Sequence, residues 1–477
     1  MSIARSPTST GLENLYPSAW RFDGLLTDGS AVCVRPVRAS DGSLLRVFHA
    51  ALSPQTVYRR FFGNHPELSH DEVRHFTEVD YRDHMAFVAV VAERLVGVAR
   101  YERAAGTDED PEIAFVVADE VQGHGVATLL FESLAAYART IGIDRFVAEV
   151  FADNLDMLHV FGASGLRCER ARDGVSVQVT IDIHPTPEYR AKCDEREAIA
   201  EAASVATFLR PRSVAVVGAS RKLGTVGHEI VRSLLAGDFC GAVYPVNPHA
   251  RSVCGVRAYP SISSLPEVVD LAIIAVPSSL VRDEIGHAAT LGVRAAVIVS
   301  AGFGETGPQG HALEAELLTV ARSAGMRIVG PNCLGVVNND PEVRLAGTFA
   351  DLGGVPGHLG LVSQSGAIGI ALARQARKAG VGLSSFVSVG NKLDVSSNDL
   401  LSFFERDERT SVIGLYLESF GNPRKFARIA RRVGEHKPIV ALAAGRSSAG
   451  SRGARSHTPR LRRHRRWSCR RFSITLG

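Results

Sequence analysis

The sequence predicts an α+β domain followed by two α/β domains, and three observations lead to this prediction. Residues 28–185 mix alternating strand patterns with helical spacings. From residue 213 onward, apolar strands alternate with helical segments, which is typical of parallel, doubly wound sheets. A chain of 477 residues is also too long for one hydrophobic core, and it fits about three domains.

Composition and charge restrict the class of protein. Hydrophobic residues make up 45% of the chain, and no apolar run approaches the ~18 residues of a membrane span. Residues 1–17 lack the apolar stretch of a signal peptide, so we expect a cytoplasmic protein without a membrane partner. The seven cysteines show no C-x-x-C spacing, so we expect neither a metal site nor a disulfide framework. The last 27 residues carry nine arginines and no acidic residue, so the remainder is acidic overall and nucleic acid is not an expected partner.

Hydrophobic periodicity places the elements of the first domain. Strands are predicted over 31–37, 87–91, 95–100, 113–117, 146–151 and 175–183. Helices are predicted over 43–62, 125–140 and 155–163. The three central strands read as an antiparallel meander.

Breaks in these patterns set the expected boundaries. A disordered leader is expected over 1–27 and the α+β domain over 28–185. A linker is expected over 186–206, in a polar stretch that begins with prolines at 185 and 187 and has helical character later. The two α/β domains, Rossmann-like or flavodoxin-like in pattern, are expected over 207–340 and 341–458, followed by a basic tail over 459–477.

A glycine turn in the first domain joins a predicted strand to a helix. The turn runs from Gln122 to Ala127, and small residues at Gly123, Gly125 and Ala127 let an anion approach the backbone closely. The helix dipole adds a favourable field of roughly 0.3–1 kcal/mol per charge. The spacing predicts a diphosphate site, with a tight strand-to-helix corner that binds nothing as the alternative.

Two segments of this domain resemble the GNAT acyltransferases. Residues 112–127 (EIAFVVADEVQGHGVA) are similar to motif A of that family, and residues 149–166 (EVFADNLDMLHVFGASGL) are similar to motif B. The resemblance implies acetyl-CoA as the cofactor, with the amides of the turn on its pyrophosphate, Asn154 near the pantetheine arm and the main chain of Val117 polarising the acyl carbonyl. The implied cofactor residues are Val117, Gln122, Gly123, Gly125, Val126, Ala127 and Asn154.

Transfer to an amine also needs a base, because a lysine ammonium with a pKa near ~10.4 must lose a proton before it attacks. Glu112 opens the strand before the turn and is the candidate base; a solvated strand end is the alternative interpretation. The sequence departs from the family at His124, where an Arg or Lys is common. The helix that follows Asn154 contains no tyrosine; Met157, His159 and Phe161 stand there instead, so the general acid stays unassigned.

A second glycine turn opens the next domain at 217–222 (VGASRK). The acidic residue that would bind a ribose hydroxyl is absent after the following strand, where YPVNP stands at 244–248, so NAD is disfavoured. The run VVGAS, YPVNP, IIAVP, SAGFGE and GPNCLG resembles the CoA-binding domain of NDP-forming acyl-CoA synthetases. By that resemblance the CoA-binding residues are Gly218, Ser220, Lys222, Val276, Pro277, Ser300 and Gly302.

The third domain resembles the succinyl-CoA-synthetase-like region of the same enzymes, starting with GLVSQSG at 360–366. The resemblance implies that Ser363 and Ser365 lie in a loop facing a phosphohistidine, that Glu418 orients the histidine and that His457 is the phosphorylated residue. After residue 458 the pattern breaks off, and we interpret the tail as the product of a frameshift that replaces an ATP-grasp domain.

The combined arrangement resembles the bacterial Pat-type protein lysine acetyltransferases. The resemblance implies direct acetyl transfer from acetyl-CoA to a lysine of a metabolic enzyme such as an acyl-CoA synthetase, with the second CoA-binding region as a possible sensor. One alternative is an α-type subunit of an NDP-forming acyl-CoA synthetase that acts through His457 with a separate ATP-grasp partner. A non-catalytic chain that only binds CoA is the third interpretation.

Overall fold

The structure is a computed structural model that describes residues 16–103, 109–352 and 355–444. The first domain holds one eight-stranded sheet, in the order β1-β2-β3-β4-β5-β6-β8-β7. Its strands are β1 (Phe22–Leu25), β2 (Ala31–Pro36), β3 (His84–Val91), β4 (Arg94–Glu102), β5 (Glu112–Val117), β6 (Arg145–Phe151), β7 (Arg167–Asp173) and β8 (Ser176–Asp182). Its helices are α1 (Gly42–Ala50), α2 (Pro54–Phe61), α3 (His70–Thr77), α4 (Val126–Thr140) and α5 (Leu155–Ala163).

The predicted elements of this domain are present, with corrections at four places. The predicted helix over 43–62 divides in two, because Ser53 caps α2 and Pro54 begins it. Helix α3 was not predicted, although Ser69 and Glu72 form a capping box at its start. Strand β7 was also missed, since its residues are mostly exposed and charged. Residues 22–25 of the expected leader form β1, which pairs with β2.

The expected linker over 186–206 is a helix, α6 (Pro187–Leu209). Thr186 accepts a hydrogen bond from the N–H of Tyr189 and Pro187 takes the first helical position, which together start the helix. The second half of α6 is largely buried, and Glu201 lies 2.6 Å from the ammonium of Lys425 in the third domain. The segment therefore joins the domains as a packed element.

The second domain has a parallel five-stranded sheet in the order β10-β9-β13-β14-β15. Its strands are β9 (Ser213–Val217), β10 (Ala242–Val246), β13 (Leu271–Ile274), β14 (Ala295–Ile298) and β15 (Arg327–Val329), with a small hairpin of β11 (Ser252–Val253) and β12 (Val256–Arg257). Its helices are α7 (Val226–Ala236), α8 (Ser278–Thr290) and α9 (Pro308–Ser323). The predicted doubly wound α/β pattern is confirmed.

The third domain has a six-stranded sheet in the order β17-β16-β19-β18-β20-β21. Its strands are β16 (Gly335–Asn338), β17 (Leu345–Thr348), β18 (Pro356–Ser363), β19 (Leu383–Ser388), β20 (Val412–Leu417) and β21 (Ile439–Ala443). Its helices are α10 (Gly366–Lys378), α11 (Ser397–Arg406) and α12 (Pro423–Gly434). Strand β16 pairs antiparallel with β17 and β19, so this sheet begins at residue 335, before the expected boundary at 341.

One hydrophobic core serves the first domain, a second is shared between α6 and the two α/β domains, and each α/β domain also has a smaller core of its own. Across the three described ranges, no helix has the length and apolar character needed to cross a lipid bilayer. The basic tail and His457 lie outside the described residues.

Candidate active site

A gap between β5 and β6 is the central feature of the first domain. Strands β4 and β5 pair along the whole of β5, from Glu102 opposite Glu112 to Gly97 opposite Val117. The parallel pair of β5 and β6, by contrast, meets only where Glu112 faces Val147. The two strands diverge from that point, so an edge of β5 is open to an extended ligand.

The direction of the main-chain groups on this edge follows from the strand register. The N–H of Ala118 donates to the carbonyl of Val96 in β4. Since alternate residues of an antiparallel strand point their N–H and C=O groups to opposite edges, those of Ile113, Phe115 and Val117 point into the gap. The carbonyl of Val117 already accepts a hydrogen bond of 3.1 Å from the Gln122 side chain.

The glycine turn follows directly from the open end of this gap. Gly123 and Gly125 both have left-handed backbones, with φ of 78° and 86°, and Gly125 is the N-cap of α4. No side chain caps this helix, so amides of its first turn point outward from the helix end. A Cβ on Gly123 would meet no described atom within 4 Å, which leaves space above the turn for a phosphate.

A hydrogen-bond network holds this turn against the start of α2. The hydroxyls of Ser53 and Thr56 each donate to Asp119 at 2.7 Å, and Gln122 donates to Thr56 at 3.3 Å. Partial burial raises the pKa of Asp119, but the hydrogen bonds from Ser53 and Thr56 outweigh it and lower that pKa overall. An ionised Asp119 therefore fixes the geometry of the turn.

Glu112 lies exposed at the closed end of the gap. Its side chain shares a face of the sheet with that of Arg100, since the two positions are on neighbouring strands and Ala114 lies opposite Arg100. Burial lowers the pKa of both Arg60 and Arg100, while the charge of Glu112 acts in the opposite direction on each. The candidate base thus lies close to two partly buried cations.

The same face lines an apolar cavity that sequence reasoning did not predict. Helices α1, α2 and α3 cover it, and Arg100 lies with its Cζ 3.8 Å from the ring centre of Phe76. The lining includes Leu45, Phe48, Leu52, Arg60, Phe61, Leu68, Phe76, Val98, Arg100, Ala114 and Val116. The sequence does place Arg100 two residues after Val98, and therefore on the same face of β4. Only the sheet register, however, shows that this face lines the cavity.

Asn154 caps α5, accepting a hydrogen bond of 3.3 Å from the N–H of Met157. Its Oδ1 is therefore occupied, and the Nδ2 group remains as a donor. His159 is exposed on α5, whereas Phe161 is buried in the core. Tyr58 of α2, an exposed residue that the sequence did not single out, stacks on Phe151 of β6 at 5.3 Å.

The second glycine turn lies at the carboxyl ends of parallel strands, where ligands of such sheets bind. Gly218 has φ of 88°, and a Cβ there would lie 2.5 Å from the carbonyl oxygen of Ala275, so only glycine fits. Ser220 accepts a hydrogen bond from the N–H of Lys222, whose side chain is exposed. This turn is open to solvent on one side.

The other predicted residues of this groove follow β13 and β14. Val276 and Pro277 precede α8, and the Ser300 hydroxyl donates to the carbonyl of Val276 at 2.5 Å. The N–H of Gly302 donates to Glu305 at 2.5 Å. The structure therefore brings the predicted set to one sheet edge, but internal bonds occupy the Ser300 hydroxyl and the Gly302 amide.

The predicted phosphohistidine loop begins α10. Ser363 is fully buried and its hydroxyl donates to the carbonyl of Ser365, so it faces inward. Ser365 caps α10 without a side-chain hydrogen bond. The side chain of Gln364 accepts hydrogen bonds from the N–H groups of Glu418 and Ser419, which holds Glu418 beside this loop. Since His457 lies outside the described residues, the phosphohistidine assignment remains a prediction.

Three family models match the chain in the order of its three domains. The acetyltransferase (GNAT) domain matches residues 31–167, the CoA binding domain matches 212–339, and the succinyl-CoA ligase like flavodoxin domain matches 356–468. The first two imply that the chain binds CoA or acetyl-CoA, as predicted, and the open turn at Gly123 fits such a ligand.

Some relatives match the first domain of the chain, and others match its second and third domains. An acetyltransferase of Pseudomonas aeruginosa is 36% identical over 153 residues, which cover 31% of this chain and 81% of that protein. The α subunit of the ADP-forming acetate–CoA ligase I of Pyrococcus furiosus is 41% identical over 262 residues, covering 54% of this chain and 56% of the subunit. The solved dinucleotide forming acetyl-coenzyme A synthetase 1 of Ca. Korarchaeum cryptofilum, in complex with phosphate and ADP, is 43% identical with a TM-score of 0.51, over 54% of this chain and 55% of that one.

The chain spans little more than half the length of these two ligases. The acetyltransferase relative, in contrast, is matched over most of its length. The predicted fold classes and the predicted order of domains are confirmed. The chain belongs to the GNAT acetyltransferases, with a GNAT domain fused in the Pat-type order to a region like the α part of ADP-forming acyl-CoA synthetases.

Proposed function

We propose that this chain transfers the acetyl group of acetyl-CoA to a lysine of a protein, and that the acceptor is an acyl-CoA synthetase. The observation that carries the proposal is the divergence of β5 from β6, which begins at Glu112 and opens toward the glycine turn. An extended thioester with its diphosphate on that turn would run along β5 toward the carboxylate. The acetyltransferase relative supports the reaction type.

The length of β5 assigns the roles of its residues. Glu112 and Val117 are five residues apart, about 16 Å along an extended strand, so one thioester does not reach both. We therefore assign Val117 to the pantetheine arm, which revises the role that the family resemblance implied. The N–H of Ile113 or Phe115, nearer to Glu112, becomes the donor to the acyl oxygen.

The reaction then proceeds by direct attack. Glu112 accepts a proton from the lysine ammonium, directly or through a water, and the neutral amine forms a bond to the thioester carbon. The negative charge that develops on the acyl oxygen is stabilised by the strand N–H. Collapse of the tetrahedral intermediate breaks the carbon–sulfur bond, and the CoA thiolate takes a proton from solvent.

The second CoA-binding region is proposed to regulate the first site. The β1–β2 turn connects them: the N–H of Thr27 donates to the carbonyl of His124 in the glycine turn at 3.0 Å, and Arg294 of the second domain lies 3.2 Å from Asp28. Gly29 packs so closely on α6 that a Cβ would lie 2.3 Å from the N–H nitrogen of Ser204. A ligand-dependent shift of the second domain would reach the glycine turn through this contact.

Mass spectrometry of acceptor lysines tests the proposed function. The full chain is incubated with acetyl-CoA and a purified acyl-CoA synthetase, and the synthetase is digested and sequenced. We expect one or a few lysines to gain an acetyl group only when all components are present. Absence of acetylated lysines, together with phosphate labelling of this chain by ATP and an ATP-grasp partner, would instead establish the ligase-subunit alternative.

A further inference from the structure

Two histidines and a carboxylate meet beside the candidate active site. His75 on α3, His84 on β3 and Glu102 on β4 each offer a ligand atom, and these atoms all lie within 4.8 Å of one another. The Nε2 atom of His75 is 3.1 Å from a carboxylate oxygen of Glu102, and the two imidazole rings are 4.8 Å apart between centres. The cluster was not predicted, because its residues are far apart in the sequence.

The backbone arranges two of these ligands independently of any ion. His84 and Glu102 stand directly opposite each other in the β3–β4 ladder. The loop before His84 is tied by Asp80, which accepts hydrogen bonds of 2.8–2.9 Å from the N–H groups of Arg82, Asp83 and His84. The backbone positions of His84 and Glu102 are thus set by the fold.

Two further observations favour the binding of a cation at this cluster. The Nε2 atom of His84 is buried and has no hydrogen-bond partner, which leaves a polar nitrogen unsatisfied. Glu102 also faces Glu112 directly across β4 and β5, and like charges in such a pair destabilise a sheet. A cation held through Nε2 of His84 together with His75 and Glu102 would satisfy that nitrogen and reduce the repulsion between the two carboxylates.

We propose that this cluster binds a zinc ion. Two imidazole nitrogens with one carboxylate oxygen suit Zn²⁺ rather than Mg²⁺ or Ca²⁺, which prefer oxygen ligands. Ligand atoms about 2.0–2.2 Å from a tetrahedral zinc are ~3.4 Å apart, so the cluster must contract by little more than ~1 Å. The exposed side chains of His75 and Glu102 are free to make that adjustment, and water completes the coordination.

The site has a consequence for catalysis that rests on the proposed function. Glu112 neighbours Glu102 across the strand pair, with Cβ atoms about 5 Å apart. A doubly charged ion here repels a lysine ammonium that approaches Glu112. Zinc is therefore expected to raise the KM for the protein acceptor while leaving acetyl-CoA binding unchanged.

Metal binding is measured on the full chain by calorimetry with ZnCl₂ after dialysis against EDTA. We expect the wild type to bind one more equivalent of zinc than His75→Ala or Glu102→Gln. His70→Ala, which removes an exposed histidine from the same helix, is the matched control and should bind as the wild type does. Equal stoichiometry and affinity in all four proteins would overturn the proposal.

Cobalt gives a second readout that does not depend on activity. A Co²⁺ ion held by two imidazoles and a carboxylate should produce visible absorption bands in the wild type that are lost in His75→Ala. Melting curves confirm that the surface variants remain folded. If zinc binds at this cluster but the acceptor KM does not change, the site stands and the proposed position of the acceptor is wrong.

Discussion

Arg322 of α9 and Asp23 of β1 form an ion pair of 2.6 Å that links the second domain to the first. A second nitrogen of Arg322 lies 3.3 Å from Asp394. Arg327, at the start of β15, is buried and bonds to Asp394 at 2.7 Å, to Asp399 at 3.0 Å and to Ser204 at 2.9 Å. The two arginines therefore share Asp394 as a partner, but they differ in how far their side chains are exposed to solvent.

That difference predicts unequal losses of stability. The Arg322 side chain is 34% exposed and Arg327 only 8% exposed. Arg322→Ala should lower the free energy of unfolding by at most about 1 kcal/mol, because exposed pairs contribute little. Arg327→Ala should lower it by about 3–5 kcal/mol, since buried Asp399 loses its cationic partner and buried Asp394 keeps only the longer contact with Arg322. Urea unfolding measures both, and equal losses would contradict the role given to burial.

The glycine turn predicts a loss of acetyl-CoA affinity without general destabilisation. Gly123→Ala places a methyl group where the phosphate is expected, at a backbone strain of about 1 kcal/mol. Gly142→Ala is the matched control, because Gly142 has a similar φ of 82° and equally open surroundings at the far end of α4. Calorimetry should show that Gly123→Ala binds acetyl-CoA at least tenfold more weakly at the glycine turn of the first domain, whereas Gly142→Ala binds it as the wild type does. Similar affinities in the two variants would place the diphosphate elsewhere.

Removal of the candidate base should slow turnover and spare binding. Glu112→Gln keeps the size of the side chain but cannot accept the lysine proton, so kcat should fall more than tenfold with acetyl-CoA affinity retained. Glu120→Gln, an exposed carboxylate beyond the same strand, should behave as the wild type. Full turnover by Glu112→Gln would remove Glu112 from the reaction.

Sequence patterns predicted the α/β domains well because several buried strands there, such as β9 and β13, are almost entirely apolar. They failed for β7, whose charged residues form an exposed edge, and for β16, which reverses direction inside a run of parallel strands. The cofactor turn is local in sequence and could be located without the structure. The zinc cluster and the cavity beside Arg100 could not, because strand register brings their residues together.

The contact between Arg294 and Asp28 predicts how the two CoA-binding regions communicate. Arg294→Ala breaks the 3.2 Å pair without touching the glycine turn, so the first site should bind acetyl-CoA normally. Any dependence of that site on a ligand in the second domain, typically 1–3 kcal/mol, should shrink. Titrations with and without saturation of the second site measure the coupling, and Arg212→Ala, an exposed arginine of the same domain, is the control. Unchanged coupling in Arg294→Ala would exclude this route.

Lys392 predicts a pH dependence of stability in the third domain. Burial lowers its pKa to about 8, although the charge of Glu418 opposes the shift, and the ammonium donates to the carbonyl and hydroxyl oxygens of Ser419 at 2.8 and 2.9 Å. Between pH 8 and the ordinary lysine pKa of about 10.4 the unfolded chain binds more protons than the folded chain, so stability rises with pH.

The comparison that isolates this effect uses Lys392→Met. The free energy of unfolding of the wild type relative to Lys392→Met should increase from pH 7.5 to pH 10, because only the wild type gains from releasing the buried proton. Lys378→Met replaces an exposed lysine at the end of α10 and corrects for titration of the surface. A difference between the wild type and Lys392→Met that is constant over this range, or that falls, would show that Lys392 keeps an ordinary ammonium in the folded protein.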